Sequence, residues 1–246
     1  MLSRKNAFVT GGDKGIGKAI VMKFAENGAN VFFTYNSDLE NAEKTKEEAA
    51  RFGTHIEFHQ LDVTSEPLVK NLIQTLIREI KRIDILVNNA GIVKDGMFMM
   101  ANMEKWWHVV DVIYGGTMKV TKEVLFNMVS QKFGKIINIT SVGGVIGISG
   151  QTNYTSAKGA ILSFTKSLSK EIARLGITVN CISPGYVDTD MVQQYSEEIK
   201  LKFKEAVPMK RFASTEEVAN VALFLASDLS SYITGQNIIV DGGMVS

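Results

Sequence analysis

Short apolar runs without polar alternation recur along this chain, and longer amphipathic stretches separate them. A run that is apolar at consecutive positions offers nonpolar side chains to both faces of a strand. Only a sheet covered on both sides satisfies it, and that points to parallel pairing. Seven such runs stand at 7–10, 30–35, 56–60, 85–87, 135–140, 178–183 and 237–240. Helical patterns occupy 15–27, 39–52, 66–81, 103–131, 154–175 and 215–226. Two of these helices begin with the spacing of a capping box, Ser37 with Glu40 and Ser214 with Glu217.

Strand–helix alternation in this order predicts the α/β class: a Rossmann-type, doubly wound parallel sheet of about seven strands with helices on both faces. The 246 residues contain three prolines and no linker-like tract, so residues 1–246 read as one domain. The least regular stretch, 186–212, follows a strand and reads as an active-site lid. A net charge of +1 with no Lys/Arg block gives no case for nucleic acid or for a membrane surface. No apolar run approaches the ~20 residues needed to span a bilayer. The N-terminus does not read as a signal peptide. The single cysteine, Cys181, lies in an apolar run and reads as a buried small hydrophobe. A cytoplasmic location is expected, and no metal.

The first strand runs into Thr10-Gly11-Gly12-Asp13-Lys14-Gly15-Ile16-Gly17, and a helix follows. Glycine there permits a tight turn and a close backbone approach to a pyrophosphate, while a helix N-terminus supplies free N–H groups and a positive dipole end. The alternative is a glycine-rich turn without a ligand. At the end of the second strand, Tyr35 and Asn36 precede Ser37, and no acid appears before Asp38. A carboxylate there would hold a ribose 2′-hydroxyl and repel a 2′-phosphate. Its absence, with Lys14 nearby, favours NADP(H), although Lys14 reads almost equally as a solvated lysine. Asp62 and Val63 follow the third strand, where Asp62 binds an adenine amino group or caps the next helix. Asn89, Ala90 and Gly91 follow the fourth, where small residues admit the adenosine half.

Tyr154 and Lys158 stand four apart on a helix and share a face. A nearby ammonium is expected to lower the tyrosine pKa toward the range useful for proton transfer. Ser141, at the end of the fifth strand, brings a hydroxyl to the same substrate oxygen.

With these motifs the chain resembles the short-chain dehydrogenase/reductases, and among them the 3-oxoacyl-(acyl-carrier-protein) reductases. The resemblance also rests on Ser183-Pro184-Gly185, Arg211-Phe212 with Glu216-Glu217-Val218-Ala219, and Gly235-Gln236 with Val240-Asp241-Gly242-Gly243. It implies NADPH-dependent reduction of a 3-oxoacyl thioester, with the acyl group on acyl carrier protein or CoA. Hydride would go to the keto carbon and Tyr154 would protonate the oxygen. Ser141 would polarise that oxygen, and Lys158 would tune Tyr154 and orient the ribose. Pro184, Gly185, Val187 and Thr189 would line the carboxamide and diphosphate side. A homotetramer is implied, with a hetero-oligomer as the variant. In one departure, Ile113 stands where relatives often carry an asparagine whose backbone carbonyl holds a water leading to the lysine. The carbonyl itself remains for such a water, and Gly115-Gly116 are expected to loosen the helix.

Alternative readings are an acetoacetyl-CoA or polyketide reductase, or a cofactor-binding, catalytically weak subunit of a hetero-oligomer. Met97, Met99, Met100 and Met103 read as core methionines or as an adaptable acyl path. Lys132, Lys135 and Arg174 are candidates for a basic patch near the cleft that meets an acidic carrier protein, or for a solvated face.

Overall fold

The computed structural model describes residues 1–245 and, for Met191, the backbone alone. Seven parallel strands, β1 (Asn6–Val9), β2 (Asn30–Tyr35), β3 (Ile56–Gln60), β4 (Ile85–Asn88), β5 (Gly134–Ile139), β6 (Ile177–Pro184) and β7 (Asn237–Val240), form one sheet in the order β3-β2-β1-β4-β5-β6-β7. The doubly wound expectation holds, and the strand bounds move by a residue or two at most.

Consecutive strand residues enter opposite cores, as the period of a strand requires. Ala7, Val9, Val31, Phe33, Ile85, Val87 and Ile137 pack under α1 (Gly15–Glu26), α2 (Leu39–Ala50) and α10 (Thr215–Ala226). Phe8, Phe32, Leu86, Ile136 and Val179 pack under α3 (Glu66–Ile80), α5 (Gly116–Gln131) and α7 (Thr152–Ile172). Helices on both faces explain why the strand sequences lack polar alternation.

The helix expected over 103–131 is three pieces: α4 (Met103–Val110), a π-turn at Asp111–Gly115, and α5. The Gly116 N–H reaches back to the Asp111 carbonyl, which widens the turn. The Asp111 carboxylate, paired with Lys119 at 2.6 Å, folds over Gly115, where a Cβ would stand 2.1 Å from Asp111 Oδ1. The helix is distorted at the glycine pair, where a Cβ on either residue would meet a neighbouring side chain.

Ser214 and Glu217 form the capping box of α10. The other box fails: α2 is capped by Asp38, whose carboxylate accepts from the Asn41 N–H at 3.2 Å, and Ser37 lies outside the helix. Between β6 and α10 the chain builds two more helices, α8 (Asp190–Gln193) and α9 (Glu197–Ala206). A short α6 (Gly143–Ile146) precedes α7.

Candidate active site

The glycine loop, the ends of β2, β3 and β4, Ser141 and the Tyr154–Lys158 pair lie at the C-terminal edge of the sheet, where the strand ends leave a crevice. On the β1 side, the backbone turns at Gly11 (φ 64°) and Gly15 (φ 55°). A Cβ on Gly17 would stand 1.8 Å from the Gly11 carbonyl oxygen, so no other residue fits there. Helix α1 begins with no side-chain cap and no acid in its first turn, which leaves its first N–H groups and dipole end for an anion. Asn89 stitches this loop to β4: its Nδ2 donates to the carbonyls of Thr10 (3.1 Å) and Gly11 (2.7 Å). The Thr10 hydroxyl accepts from the N–H groups of Asn89 and Ala90, both at 3.0 Å. Such a cradle fits a pyrophosphate. Ile16 is half-buried over the core, and Thr189 Cγ2 comes within 3.6 Å of a Cβ placed on Gly15.

At the end of β2, Tyr35 is buried edge-on against Phe58 and Asn36 is exposed. Lys14 is exposed but not free: its ammonium lies 3.5 Å from Asp38. Asp13 is buried beside it, and burial pushes its carboxyl above the usual range. Asp62 does not cap α3, which begins after Ser65. Its Oδ1 instead accepts from the N–H and hydroxyl of Thr64 (2.9 and 2.7 Å), and these bonds hold its pKa down. Val63 is buried against Gly116. Gly91 leaves room beside Ile113 and the Lys158 ammonium, 3.6 and 3.8 Å from where its Cβ would be.

On the β5 side, Ser141 leaves the strand end and its hydroxyl accepts from the Gly143 N–H at 3.1 Å. Asn153 fixes the start of α7, accepting from the Tyr154 N–H and donating to the Lys94 carbonyl. The Ser141 hydroxyl lies near enough to the Tyr154 phenol to pull its pKa down. Lys158 lies beneath, almost fully buried, with its ammonium 5.6 Å from the Tyr154 ring centroid and donating to the Ile139 carbonyl at 2.7 Å. Pro184 and Gly185 end β6 against Asp241, and Val187 bridges to Ala213.

Two electrostatic expectations are corrected. The Tyr154 phenol is not lowered by Lys158: burial pushes it above 10, the Ser141 hydroxyl pulls against that, and the Asp95 charge adds to the rise. Burial in turn lowers Lys158 to about 8. An ammonium turned toward a backbone carbonyl does little for a phenol above it. The second correction concerns Ile113. Its carbonyl accepts from the Thr117 hydroxyl (2.7 Å) and shares the Gly116 N–H with the Asp111 carbonyl, so it is already engaged within the helix. The Ile113 side chain is buried with Val109, Ala157, Ile161 and Cys181, and Tyr154 packs against this group.

Elsewhere, Cys181 is buried as expected, and its thiol, pushed up to about 11, donates to Thr165. Met97, Met99, Met100 and Met103 are exposed, Met99 by 90%, so none is a core methionine. Lys132, Lys135 and Arg174 do not border the cleft. They lie where β5 begins and α7 ends, on the opposite edge of the sheet, and Lys135 is buried. Two features escape the sequence reading. Asn138, an amide flanked by isoleucines in β5, joins Asn88 and Thr165 in a buried polar chain, and its type alone was a signal. Tyr195 reaches Asp95 from a segment with no periodic pattern, where no signal exists.

Residues 11–245 match a family model described as enoyl-(acyl carrier protein) reductase. The chain is similar to 3-oxoacyl-(acyl-carrier-protein) reductase FabG of Aquifex aeolicus (strain VF5), 44% identical over 99% of this chain and 98% of that one. It is likewise similar to FabG of Chlamydia trachomatis serovar D, 43% identical over 99% and 98%. FabG of Staphylococcus aureus (strain Mu50) is 38% identical over 99% of each chain. With its seven-stranded sheet and glycine cradle, the chain belongs to the short-chain dehydrogenase/reductase family, whose oxidoreductases use a nicotinamide cofactor.

Proposed function

We propose that this protein reduces 3-oxoacyl thioesters to 3-hydroxyacyl thioesters with NADPH. The observation that carries this reading is the Tyr154 phenol with the Ser141 hydroxyl close enough to lower its pKa, over the buried Lys158 and beside the glycine cradle. Two hydroxyls converging on one point suit a carbonyl oxygen, which needs a proton and a polarising donor together. The bound nicotinamide supplies hydride to the keto carbon. Tyr154, protonated at neutral pH because its phenol is buried, gives its proton to the carbonyl oxygen. Ser141 holds that oxygen, and Lys158 anchors the ribose side. Thr10, Gly11, Gly15, Ile16, Gly17, Asn89, Ala90 and Gly91 cradle the dinucleotide, with Pro184, Gly185, Val187 and Thr189 at its nicotinamide end. Tyr35, Asn36, Asp62 and Val63 border the adenosine.

The relatives' names support a 3-oxoacyl rather than an enoyl substrate. Preference for NADP(H) is supported by the lack of an acid at 35–37, but Lys14 must leave Asp38 to meet a 2′-phosphate. Residues 186–212 act as the lid. No helix among the described residues is long and apolar enough to cross a membrane, and we place the protein in the cytoplasm. A homotetramer is supported by apolar side chains exposed on α4 and α5, among them Trp107 and Phe126.

The test is oxidation of NADPH, then NADH, by the purified chain with acetoacetyl-CoA and with a carrier-bound 3-oxoacyl group. Turnover faster with NADPH is expected. Preference between the two carriers separates a carrier-protein reductase from a reductase of acetoacetyl-CoA or of polyketide intermediates. The second reading, a catalytically weak subunit, is favoured by Ile113, whose carbonyl, engaged within the helix, leaves Lys158 with the Ile139 carbonyl as its polar contact. Tight NADPH binding without turnover of either substrate would select it.

A further inference from the structure

The segment between β6 and α10 is braced internally. Tyr186 stacks on Phe203 at 4.4 Å and 12°, and Tyr195 meets Phe203 edge-on at 5.4 Å. Gln193 donates to Asp188 at 2.6 Å and accepts from Lys200 at 3.0 Å. A unit cross-linked in this way moves as one piece.

At its root the segment is anchored by Val187 in the core, by Val207 against Gly242 and by the Arg211–Glu217 ion pair, and two further contacts reach across the crevice. On the cofactor side, Thr189 abuts Gly15. On the far side of the crevice, the Tyr195 hydroxyl donates to Asp95 Oδ2 at 3.1 Å. Asp95 sits in the loop after β4, and its other oxygen accepts from Gln151 Nε2 at 2.9 Å, immediately before α7. Two backbone-anchored bonds hold that loop in place. The Gly96 N–H donates to the Gly150 carbonyl at 2.8 Å, and Asn153, next to Tyr154, donates to the Lys94 carbonyl at 3.1 Å. Asp95 is thus the junction of three elements: the loop after β4, the start of the Tyr154 helix, and the braced segment.

We infer that Asp95 is a positioning residue that ties the 186–212 segment, through Tyr195, to the turn carrying Tyr154 and so sets how firmly the acyl thioester is held against the proton donor. The inference rests on reading that segment as the lid. A single hydrogen bond at an exposed site moves an equilibrium modestly, so its loss should loosen the lid rather than unfold it. Substrate binding weakens while the chemistry of a bound substrate is kept. The geometry also separates charge from tie. Asn at 95 keeps an acceptor for Gln151 and an amide that can donate to the tyrosine oxygen, whereas Ala keeps neither.

The experiment uses the full chain as Tyr195→Phe, Asp95→Ala and Asp95→Asn, in two arms. Hydrogen exchange of backbone amides in residues 186–204 is read first on the free protein, then with NADPH. Tyr195→Phe and Asp95→Ala should exchange at least about threefold faster there than the parent, with Asp95→Asn close to it. In the kinetic arm, KM for acetoacetyl-CoA should rise about fivefold in the first two variants, with kcat within about twofold, and Asp95→Asn should restore KM. Parent-like exchange and KM in both Tyr195→Phe and Asp95→Ala overturn the tie. So does a loss of kcat at unchanged KM, which would place Asp95 in the chemistry instead. If the parent itself turns over no 3-oxoacyl thioester, the functional reading fails and the exchange arm still decides the tie.

Discussion

The two sides of the crevice are built on opposite terms. On the β1–β4 side the backbone groups of the glycine loop are matched: Asn89 serves two loop carbonyls, Thr10 serves two loop amides, and the glycines fit where nothing larger would. On the β5–α7 side a lysine is buried with a backbone carbonyl as its hydrogen-bond partner, and a phenol sits above its ordinary pKa. The first side is stabilised by its own hydrogen bonds. The second holds groups that the fold would be more stable without. Backbone shape is enough to cradle a pyrophosphate, whereas moving a proton requires desolvated, titratable groups that cost stability. Substitutions on the two sides should therefore have opposite signs.

The largest expected effect is on turnover. Tyr154→Phe removes the proton donor and should lower kcat about 10³-fold, or about 4 kcal/mol. NADPH binding, read by fluorescence, should stay near the parent value, because the cradle is on the other side. Retained turnover would remove Tyr154 from the mechanism. Next in size, Gly17→Ala forces a Cβ against the Gly11 carbonyl, which the hydrogen-bonded loop cannot easily vacate. A loss of about 3 kcal/mol is expected in urea unfolding, together with loss of NADPH binding. A small loss would mean that the loop is not locked.

Lys158→Met tests the other sign. Turnover should vanish while stability rises by about 2 kcal/mol at pH 7, since an apolar chain of similar length replaces a buried ammonium. The pH dependence follows from the fall from 10.5 to about 8. Below pH 8 both folded and unfolded chains hold the proton, and the folded protein bears the whole penalty, about 3 kcal/mol. Between 8 and 10.5 the unfolded chain binds more protons, so this group makes stability rise with pH. Cys181, raised from 9.0 to about 11, acts in the opposite sense over 9–11. The difference between parent and variant isolates the lysine, and it should shrink from pH 8 upward. A variant less stable than its parent at pH 7 would show that the ammonium is better satisfied than the geometry indicates.

The matched side was also the more legible in the sequence. Unalternated strands and a glycine string are local signals, each set by a few neighbouring residues. Tyr154, Lys158 and Ser141 were legible as residues but not in their electrostatics, because desolvation depends on what covers a group. The direction of the Lys158 ammonium toward Ile139, and the engagement of the Ile113 carbonyl within the helix, are set by the packing of β5 and by the π-turn. Neither is written in the spacing of four. The basic patch failed for a related reason: Lys132, Lys135 and Arg174 are polar symbols in a sequence, but the parallel strand direction puts them at the wrong edge. Asp38 rather than Ser37 caps α2 because the helix begins at Leu39, one residue later than the box requires, and Asp38 is the residue before it.

The smallest effect should come from Thr10→Val, which keeps the shape of a buried, β-branched residue and deletes only its hydroxyl. Valine leaves the N–H groups of Asn89 and Ala90 without their acceptor in a confined place. The loss should be about 1–2 kcal/mol, the cost of unmatched buried donors rather than of a cavity. Because the cradle's carbonyl bonds from Asn89 survive, NADPH affinity should fall only a few-fold. Paired with Lys158→Met, the variant makes the comparison quantitative, since a hydroxyl on one side and an ammonium on the other are each removed at nearly constant volume. Should Thr10→Val prove neutral in thermal and urea unfolding, the glycine side would owe its order to sterics alone, and the contrast would be between shape and charge rather than between matched and unmatched polar groups.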